Sequence, residues 1–261
     1  MIKFDIITVF PGAFDSYLNT SMLKRAQAKK LVDISIHDLR KFASDKHKKV
    51  DDRPYGGGPG MVLKIEPLIR AVGSVLRTNP KSQILNPKQI PNSKFSKLKT
   101  KIILFSAAGK QFDSKMASDF AKKYDRIIMI AGHYEGVDER VKRVFHDSGF
   151  MIQELSVGPY VLTGGELPAM VVIDAVSRHL PGFLGKAESL EEKRYGVGVP
   201  VYTRPETFFV RGGLARAGMA KGSAFGGKHK GKNYRVPEVL LSGAHKKIAA
   251  WREIRARRAS L

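Results

Sequence analysis

The chain has 261 residues, 43% of them hydrophobic, which is enough for one large domain or a large and a small one. No apolar run approaches the length of a membrane span, and with no cysteine at all disulfides and thiolate metal sites are excluded, as fits a reducing, cytoplasmic setting. Lys+Arg number 46 against Asp+Glu 24, a net charge of +22 that a solvated surface does not need and that points to a polyanionic partner.

In chain order, Ile2–Val9 alternates and is rich in β-branched residues, so it reads as a first strand. The opening MIKFDIITVF moves straight into this pattern and is read as carrying no signal peptide. Pro11-Gly12 breaks the strand, and Phe14, Leu18, Met22 and Ala26 follow at helical spacing. Val32–Leu39 is a second strand. Asp51-Asp-Arg-Pro-Tyr-Gly-Gly-Gly-Pro-Gly60 is too dense in Gly and Pro for regular structure. Its Asp51, Asp52 and Arg53 sit where the chain can bend closely around a ligand. Pro67 opens a helix with Leu68, Val72, Val75 and Leu76 inward, and Thr78–Lys101 reads as a polar, basic surface excursion.

Ile102–Phe105 is a strand ending in Ser106-Ala-Ala-Gly109. Asp113 can cap a helix in which Met116, Phe120 and Tyr124 stack. Arg126–Ile130 is a strand ending in Ala131-Gly132, and Phe150–Leu155 is a strand running into Ser156-Val-Gly-Pro-Tyr-Val-Leu-Thr-Gly-Gly-Glu-Leu-Pro168. There Pro168 suits a helix start, and Ala169, Ile173, Val176 and Leu180 share a face. Strands that end in Gly-bearing loops, with helices between most of them, are the α/β pattern of a parallel sheet, whose ligands sit outside the carboxyl ends of the strands. No loop reads GxGxxG or GxxxxGK[ST], which argues against a dinucleotide or P-loop site.

Lys186–Thr203 changes texture and reads as a linker. From Arg204 to Leu261 there are 14 basic and 3 acidic residues, net +11, half of the whole excess. An anionic membrane surface competes with nucleic acid as the partner, but no Lys/Arg amphipathic helix with a Trp/Phe face accompanies the charge. Phe208–Lys232 reads as a mobile basic loop, and His245–Arg258 as a basic helix anchored by Trp251.

Two stretches could carry chemistry. The Ser156–Gly165 turn precedes a helix start, a common place for a small ligand, although a Gly-Gly pair also makes a plain turn. Ala131-Gly-His-Tyr-Glu-Gly-Val-Asp-Glu-Arg140 packs His133, Tyr134, Glu135 and Asp138 after a strand end. Glu139 reads as a helix-start residue. Glu135, in a loop too tight for a casual solvated carboxylate, reads as functional. His133 as a metal ligand lacks any Cys or HxxxH support.

Taken in order, DDRPYGGGPGM, AGHYEGVDER, SVGPYVLTGGELPAM, YTRPE and VLLSGAHKKIAAWR closely resemble the bacterial tRNA (guanine-N-1)-methyltransferases, from Ile6 to about Arg252. That resemblance implies an S-adenosylmethionine-dependent enzyme that methylates the guanosine 3′ of the anticodon in tRNA and works as a cytoplasmic homodimer. The implied fold is an α/β parallel-sheet domain over 1–185 with a deep trefoil knot at its C-terminal end, an arrangement that chain-threading rules alone would not propose. A linker over 186–203 and a small, mostly helical, basic tRNA-binding domain over 204–261 follow. By motif position the cofactor pocket uses Phe105, Gly109, Gly132, Ser156, Val157, Tyr160, Leu162, Gly164 and Gly165. Glu135 matches a functional glutamate and Arg178 an essential arginine that faces the target base. Asp51, Asp52, Arg53 and Arg204 fall on the substrate side.

The chain also departs from the family pattern. His133 stands where the family usually has Arg, and Pro159 where it has Asp. The family's base is an Asp in the linker, whereas here Lys193 holds that place, with Glu192 and Glu191 beside it as candidate bases. Related enzymes need magnesium; carboxylates without dense clustering imply a weak, water-rich Mg²⁺ site whose ligands the sequence does not fix. Two other functions stay open: an RNA-binding protein that kept the fold without catalysis, and a related methyltransferase acting on another RNA.

Overall fold

A computed structural model describes residues 1–77, 99–185, 190, 198–210 and 232–259. The chain falls into two compact units, Met1–Ala187 and Glu188–Leu261.

The first unit is built on a five-stranded sheet. Its strands are β1 (Ile2–Thr8), β2 (Val32–Asp38), β5 (Thr100–Gln111), β6 (Arg126–Ile130) and β7 (Ile152–Ser156), in the order β2-β1-β6-β5-β7. Every pairing within it is parallel. Parallel strands need crossovers, and these carry α1 (Asp15–Leu18), α2 (Ser21–Ala28), α3 (Ile65–Leu76), α4 (Ser114–Lys123) and α5 (Arg140–Asp147); α6 (Glu166–Ser177) follows β7.

Residues adjacent along a strand point to opposite faces, so both faces of this sheet are apolar. Phe4, Ile6, Ile103, Ile127 and Met129 pack beneath α1, α2, α4 and α6. Ile7, Ile102, Leu104, Ile128 and Ile130 pack on the other side with α3 and α5. Each such side chain, fully buried, stabilises the fold by about 1.5–3 kcal/mol. Asp5 is a buried carboxylate in the second face. Its Oδ1 lies 2.8 Å from His37 Nε2 and its Oδ2 lies 3.3 Å from Arg126 Nε, so two neighbouring strands supply its partners.

Local chemistry sets most element ends. Asp113 Oδ1 accepts from Met116 N at 2.7 Å and starts α4, and Phe120 and Tyr124 stack edge-on at 5.6 Å. The helix expected from Phe14 to Ala26 is instead a short 3₁₀ turn, Pro11–Phe14, followed by two separate helices, α1 and α2. The Gly- and Pro-rich stretch from Asp51 is not wholly irregular either. Asp51–Asp52 (β3) pairs antiparallel with Val62–Leu63 (β4), leaving only 53–61 as the hairpin loop.

The larger difference concerns β5. The sequence predicts a strand that stops at Ser106-Ala-Ala-Gly109, yet β5 continues to Gln111. Phe105 and Lys110 both pair with Leu155, so Ser106–Gly109 bulges out between them. A Cβ on Gly109 would lie 2.5 Å from Leu155 N, so only glycine lets the returning chain press on β7 backbone.

In the second unit, β8 (Thr207–Val210) pairs antiparallel with β9 (Lys232–Arg235), and α7 (Glu238–Leu241) and α8 (His245–Ala259) follow. The two strands correct the expectation of a loop running from Phe208 to Lys232, whose middle, 211–231, lies outside the described residues. Trp251 anchors as expected: its ring lies 6.4 Å from that of Tyr202, and Arg255 stacks over it at 5.4 Å. Among the described residues, no helix is long and apolar enough to cross a membrane.

Candidate active site

The carboxyl ends of β6, β5 and β7 are neighbours in the sheet, and the loops leaving them enclose a cavity of about 320 Å³. Its walls are Leu104–Ala107 from the β5 bulge, Gly132–Val137 and Glu139 after β6, Glu154–Gly158 at the end of β7, and the return loop Tyr160–Gly165 with Pro168 of α6. The volume is at the small end of the range for ligand pockets.

The loops lie close because side chains are missing where backbones meet. Gly165 N donates to Gly132 O at 2.8 Å, and a Cβ on Gly165 would sit 2.6 Å from Ala131 Cα. His133 and Gly164 form an antiparallel bridge. A Cβ on Gly158 would strike the Tyr160 ring at 2.2 Å. Ser156 Oγ, buried, donates to Gly158 O at 2.8 Å and closes the turn.

The loop after β6 is also tied to the β3–β4 hairpin. Glu135 N donates to Met61 O and Leu63 N to Gly136 O, each at 3.0 Å. Tyr134 adopts a left-handed conformation, φ 58°. Burial pushes its phenol above the ordinary tyrosine range, and the negative charge of nearby Asp51 adds to the effect. Glu135 is exposed, on the cavity wall, with its side chain folded over Gly60.

The electrostatics of the cavity run against those of the chain. In a protein of net charge +22, the formally charged side chains on this wall are three carboxylates: Glu135, Glu139 and Glu154. Lys142 is the only described cation paired with any of them. Its Nζ lies 3.1 Å from Glu154 Oε2 and contacts Glu139. Those partners, Glu139 first, hold the Lys142 ammonium above its ordinary range. Glu135 has no ion-pair partner among the described residues, so the cavity is left net negative.

The predicted site residues divide accordingly. Phe105, Gly132, Glu135, Ser156, Val157, Tyr160, Leu162, Gly164 and Gly165 all line the cavity. Gly109 does not; its position is required by the β5–β7 crossing. Arg178 is also apart: it caps the far end of α6, half-buried, and twelve helical residues put it about 18 Å from the helix start at the cavity. Asp51, Asp52 and Arg53 belong to the hairpin beside the cavity and not to its wall. Asp52 accepts from Arg53 N at 2.9 Å, which holds its carboxyl below the usual range, helped by Lys64. Arg204 is exposed in the second unit. Glu191 and Glu192 lie outside the described residues. Glu139 is the N-cap residue of α5 but makes no side-chain cap; Asp138 does, accepting from Arg140 N at 3.0 Å.

Sequence reasoning missed Glu154 and a buried contact behind the wall. Glu154 is polar within β7, between the cavity and Lys142, and a lone carboxylate in an apolar strand was the available signal. Thr8 Oγ1 donates to Glu166 Oε1 at 2.6 Å, across 158 positions, and no local pattern could pair them.

The chain is thus an α/β protein whose parallel sheet carries a glycine-walled cavity, lined by three carboxylates, outside three strand ends. Residues 2–213 match the family model described as tRNA (Guanine-1)-methyltransferase TrmD. The chain is 40% identical over 255 residues to the tRNA (guanine-N(1)-)-methyltransferase of Dictyoglomus turgidum, covering 97% of this chain and 84% of that protein. The enzymes of the same name from Moorella thermoacetica and Dehalococcoides mccartyi are 40% and 41% identical, over 98% and 100% of this chain and 85% and 88% of theirs. The chain belongs to the TrmD family of tRNA (guanine-1)-methyltransferases.

Proposed function

We propose that the protein is an S-adenosylmethionine-dependent methyltransferase acting on N-1 of the guanosine 3′ of the anticodon in tRNA. The observation that carries the cofactor half of this reading is the sign of the cavity. A pocket walled by backbone and by Glu135, Glu139 and Glu154 repels the phosphates of a dinucleotide and suits a ligand bearing a sulfonium and an ammonium. The volume and donor set fit that molecule, with Phe105, Gly132, Ser156, Val157, Tyr160, Leu162, Gly164 and Gly165 as the residues that would hold it. Bound there, S-adenosylmethionine supplies the methyl group.

The chain's own residues have the remaining work. The guanine nitrogen carries a proton and is a poor nucleophile, so a base must take that proton while a cation stabilises charge on the adjacent carbonyl oxygen. Arg178 is the cation of this reading and Glu192, or Glu191, the base. Because Arg178 lies at the far end of α6, about 18 Å along the helix from the end that meets its own cavity, Arg178 of one protomer would serve the cavity of its partner. Val161 and, on one face of α6, Leu167 and Val171 are exposed apolar side chains, which supports a homodimer. The guanine must leave its stack to be reached, which is cheapest in a loop such as the anticodon. The basic residues after Thr203, Arg204 among them, would grip phosphates, while Asp51, Asp52 and Arg53 flank the cavity on the hairpin.

The trefoil knot belongs to the same reading. It is supported by the backbone contact of Gly109 with Leu155 and of Gly165 with Ala131, where crossing segments press together without side chains between them. A cytoplasmic location follows from the tRNA substrate. Among the described residues, no three His, Asp or Glu side chains come together as a metal site. Magnesium keeps several waters and would rest on one or two carboxylates; no step here depends on it.

The test is incubation of the protein with methyl-labelled S-adenosylmethionine and unmodified tRNA, followed by mapping of the labelled nucleotide. Label at N-1 of the guanosine 3′ of the anticodon is the expected result; label elsewhere, or none, would overturn the reading. In the same assay under single turnover, Glu192→Gln is expected to lower the rate by about 100-fold, the scale of a lost general base. Glu191→Gln and Glu192→Gln both near wild type would remove both candidates.

A further inference from the structure

On and behind the cavity wall at His133 lies a group of side chains that the methyl-transfer reading leaves unused. Glu166, at the start of α6, is buried. One of its oxygens, Oε1, is bound by Thr8 Oγ1 at 2.6 Å. The other, Oε2, faces His133 Nδ1 at 3.9 Å. That His133 nitrogen is itself buried and has no hydrogen-bond partner. A buried ring nitrogen with no hydrogen-bond partner thus faces a carboxylate oxygen just beyond hydrogen-bond distance, an arrangement that is costly for the nitrogen unless the two are coupled.

Gly164 explains how they come to face each other. A Cβ there would lie 2.4 Å from Glu166 Oε2 and 2.6 Å from His133 Nδ1, so the pair occupies the space that any side chain at 164 would fill. The imidazole is also clasped. It meets the Phe10 ring edge-on at 4.8 Å and the Tyr134 ring edge-on at 4.8 Å. Arg40 stacks over Phe10 at 5.7 Å. Glu135 is two residues along the same loop.

We infer that His133 is a positioning residue for the cofactor cavity. Held by Glu166 over Gly164 and gripped by Phe10 and Tyr134, it fixes the Gly132–Gly136 loop against the Gly164–Gly165 turn, and so fixes Glu135 at the cavity mouth. The inference rests on the reading of this cavity as the S-adenosylmethionine site. Its specific content is that His133 and Glu166 act as one unit, and that arginine, which reaches the same carboxylate with a permanent charge, can replace the histidine.

The experiment is a double-mutant cycle read by S-adenosylmethionine calorimetry and by steady-state kinetics on tRNA. His133→Gln and Glu166→Gln are each expected to weaken cofactor binding by about tenfold, the scale of coupling between residues in contact. The double variant should be no weaker than either alone, because the second change removes nothing further. His133→Arg should restore affinity to within about twofold of wild type. The loss should fall on KM for the cofactor, with kcat kept. Losses that multiply in the double variant, wild-type affinity in His133→Gln, or no rescue by His133→Arg would each overturn the inference. Thermal melts of the same four cofactor-free proteins separate the two layers of the argument. A wild type that binds no S-adenosylmethionine overturns the cofactor assignment, and melting shifts that simply add in the cycle overturn the pair.

Discussion

Two glycine-rich stretches look alike as text and work differently as structure. In the hairpin loop Gly56, Gly57 and Gly58 take φ of +86°, +79° and +108°, and a Cβ on any of them would meet nothing within 4 Å. These glycines supply a backbone conformation. At the cavity, Gly158, Gly164 and Gly165 need no left-handed φ, yet each Cβ would collide at 2.6 Å or less. These glycines supply the absence of a side chain where the wall is too tight to hold one. The first kind permits a bend around something that arrives later; the second kind is part of the wall.

The comparison is broken most severely at Gly165. Gly165→Ala puts a methyl against Ala131 Cα, a backbone atom that cannot move aside, and should lower S-adenosylmethionine affinity by about 100-fold or more, the scale of a displacement of about 1 Å at a binding centre. Calorimetry on the folded variant checks this; unchanged affinity would mean the wall tolerates what its spacing forbids. Gly60 sharpens the contrast because it belongs to both kinds, with φ +87° and a Cβ position 2.3 Å from Glu135 Oε1. Gly60→Ala should push the Glu135 side chain from the mouth and weaken cofactor binding by about tenfold, on the scale of one charge-assisted contact. Gly57→Ala should cost only the left-handed backbone, about 1 kcal/mol in a melt, with cofactor affinity unchanged.

Much of the sheet was legible in the sequence because its causes are local. β-Branched and apolar residues in Ile2–Thr8 and the apolar run Ile127–Ile130 announce strands, and Asp113 announces the start of α4. The cavity wall was legible through family motifs, since Phe105, Gly132, Ser156 and Gly165 converge there. What was not legible depends on contacts between distant segments. Ser106-Ala-Ala-Gly109 has the composition of a strand end, and only Leu155, pairing on both sides of the bulge, turns it into a detour. Asp51 and Asp52 have poor strand propensity, and it is Val62 and Leu63 that make them a strand. Thr8 and Glu166 carry no local signal, and His133 stands out only as a departure from the family pattern, until the fold brings the three together beside Gly164. Arg178 carries the same lesson in reverse, because its motif joins it to the site while α6 holds it a helix length away.

The most direct test of the central claim is amide hydrogen exchange of the wild-type protein with and without S-adenosylmethionine. Protection confined to the Gly132–Gly136 loop and the Ser156–Gly165 turn, with Pro54–Gly60 exchanging as before, is the result this account predicts. Protection at Pro54–Gly60 with none at the two cavity loops would contradict it.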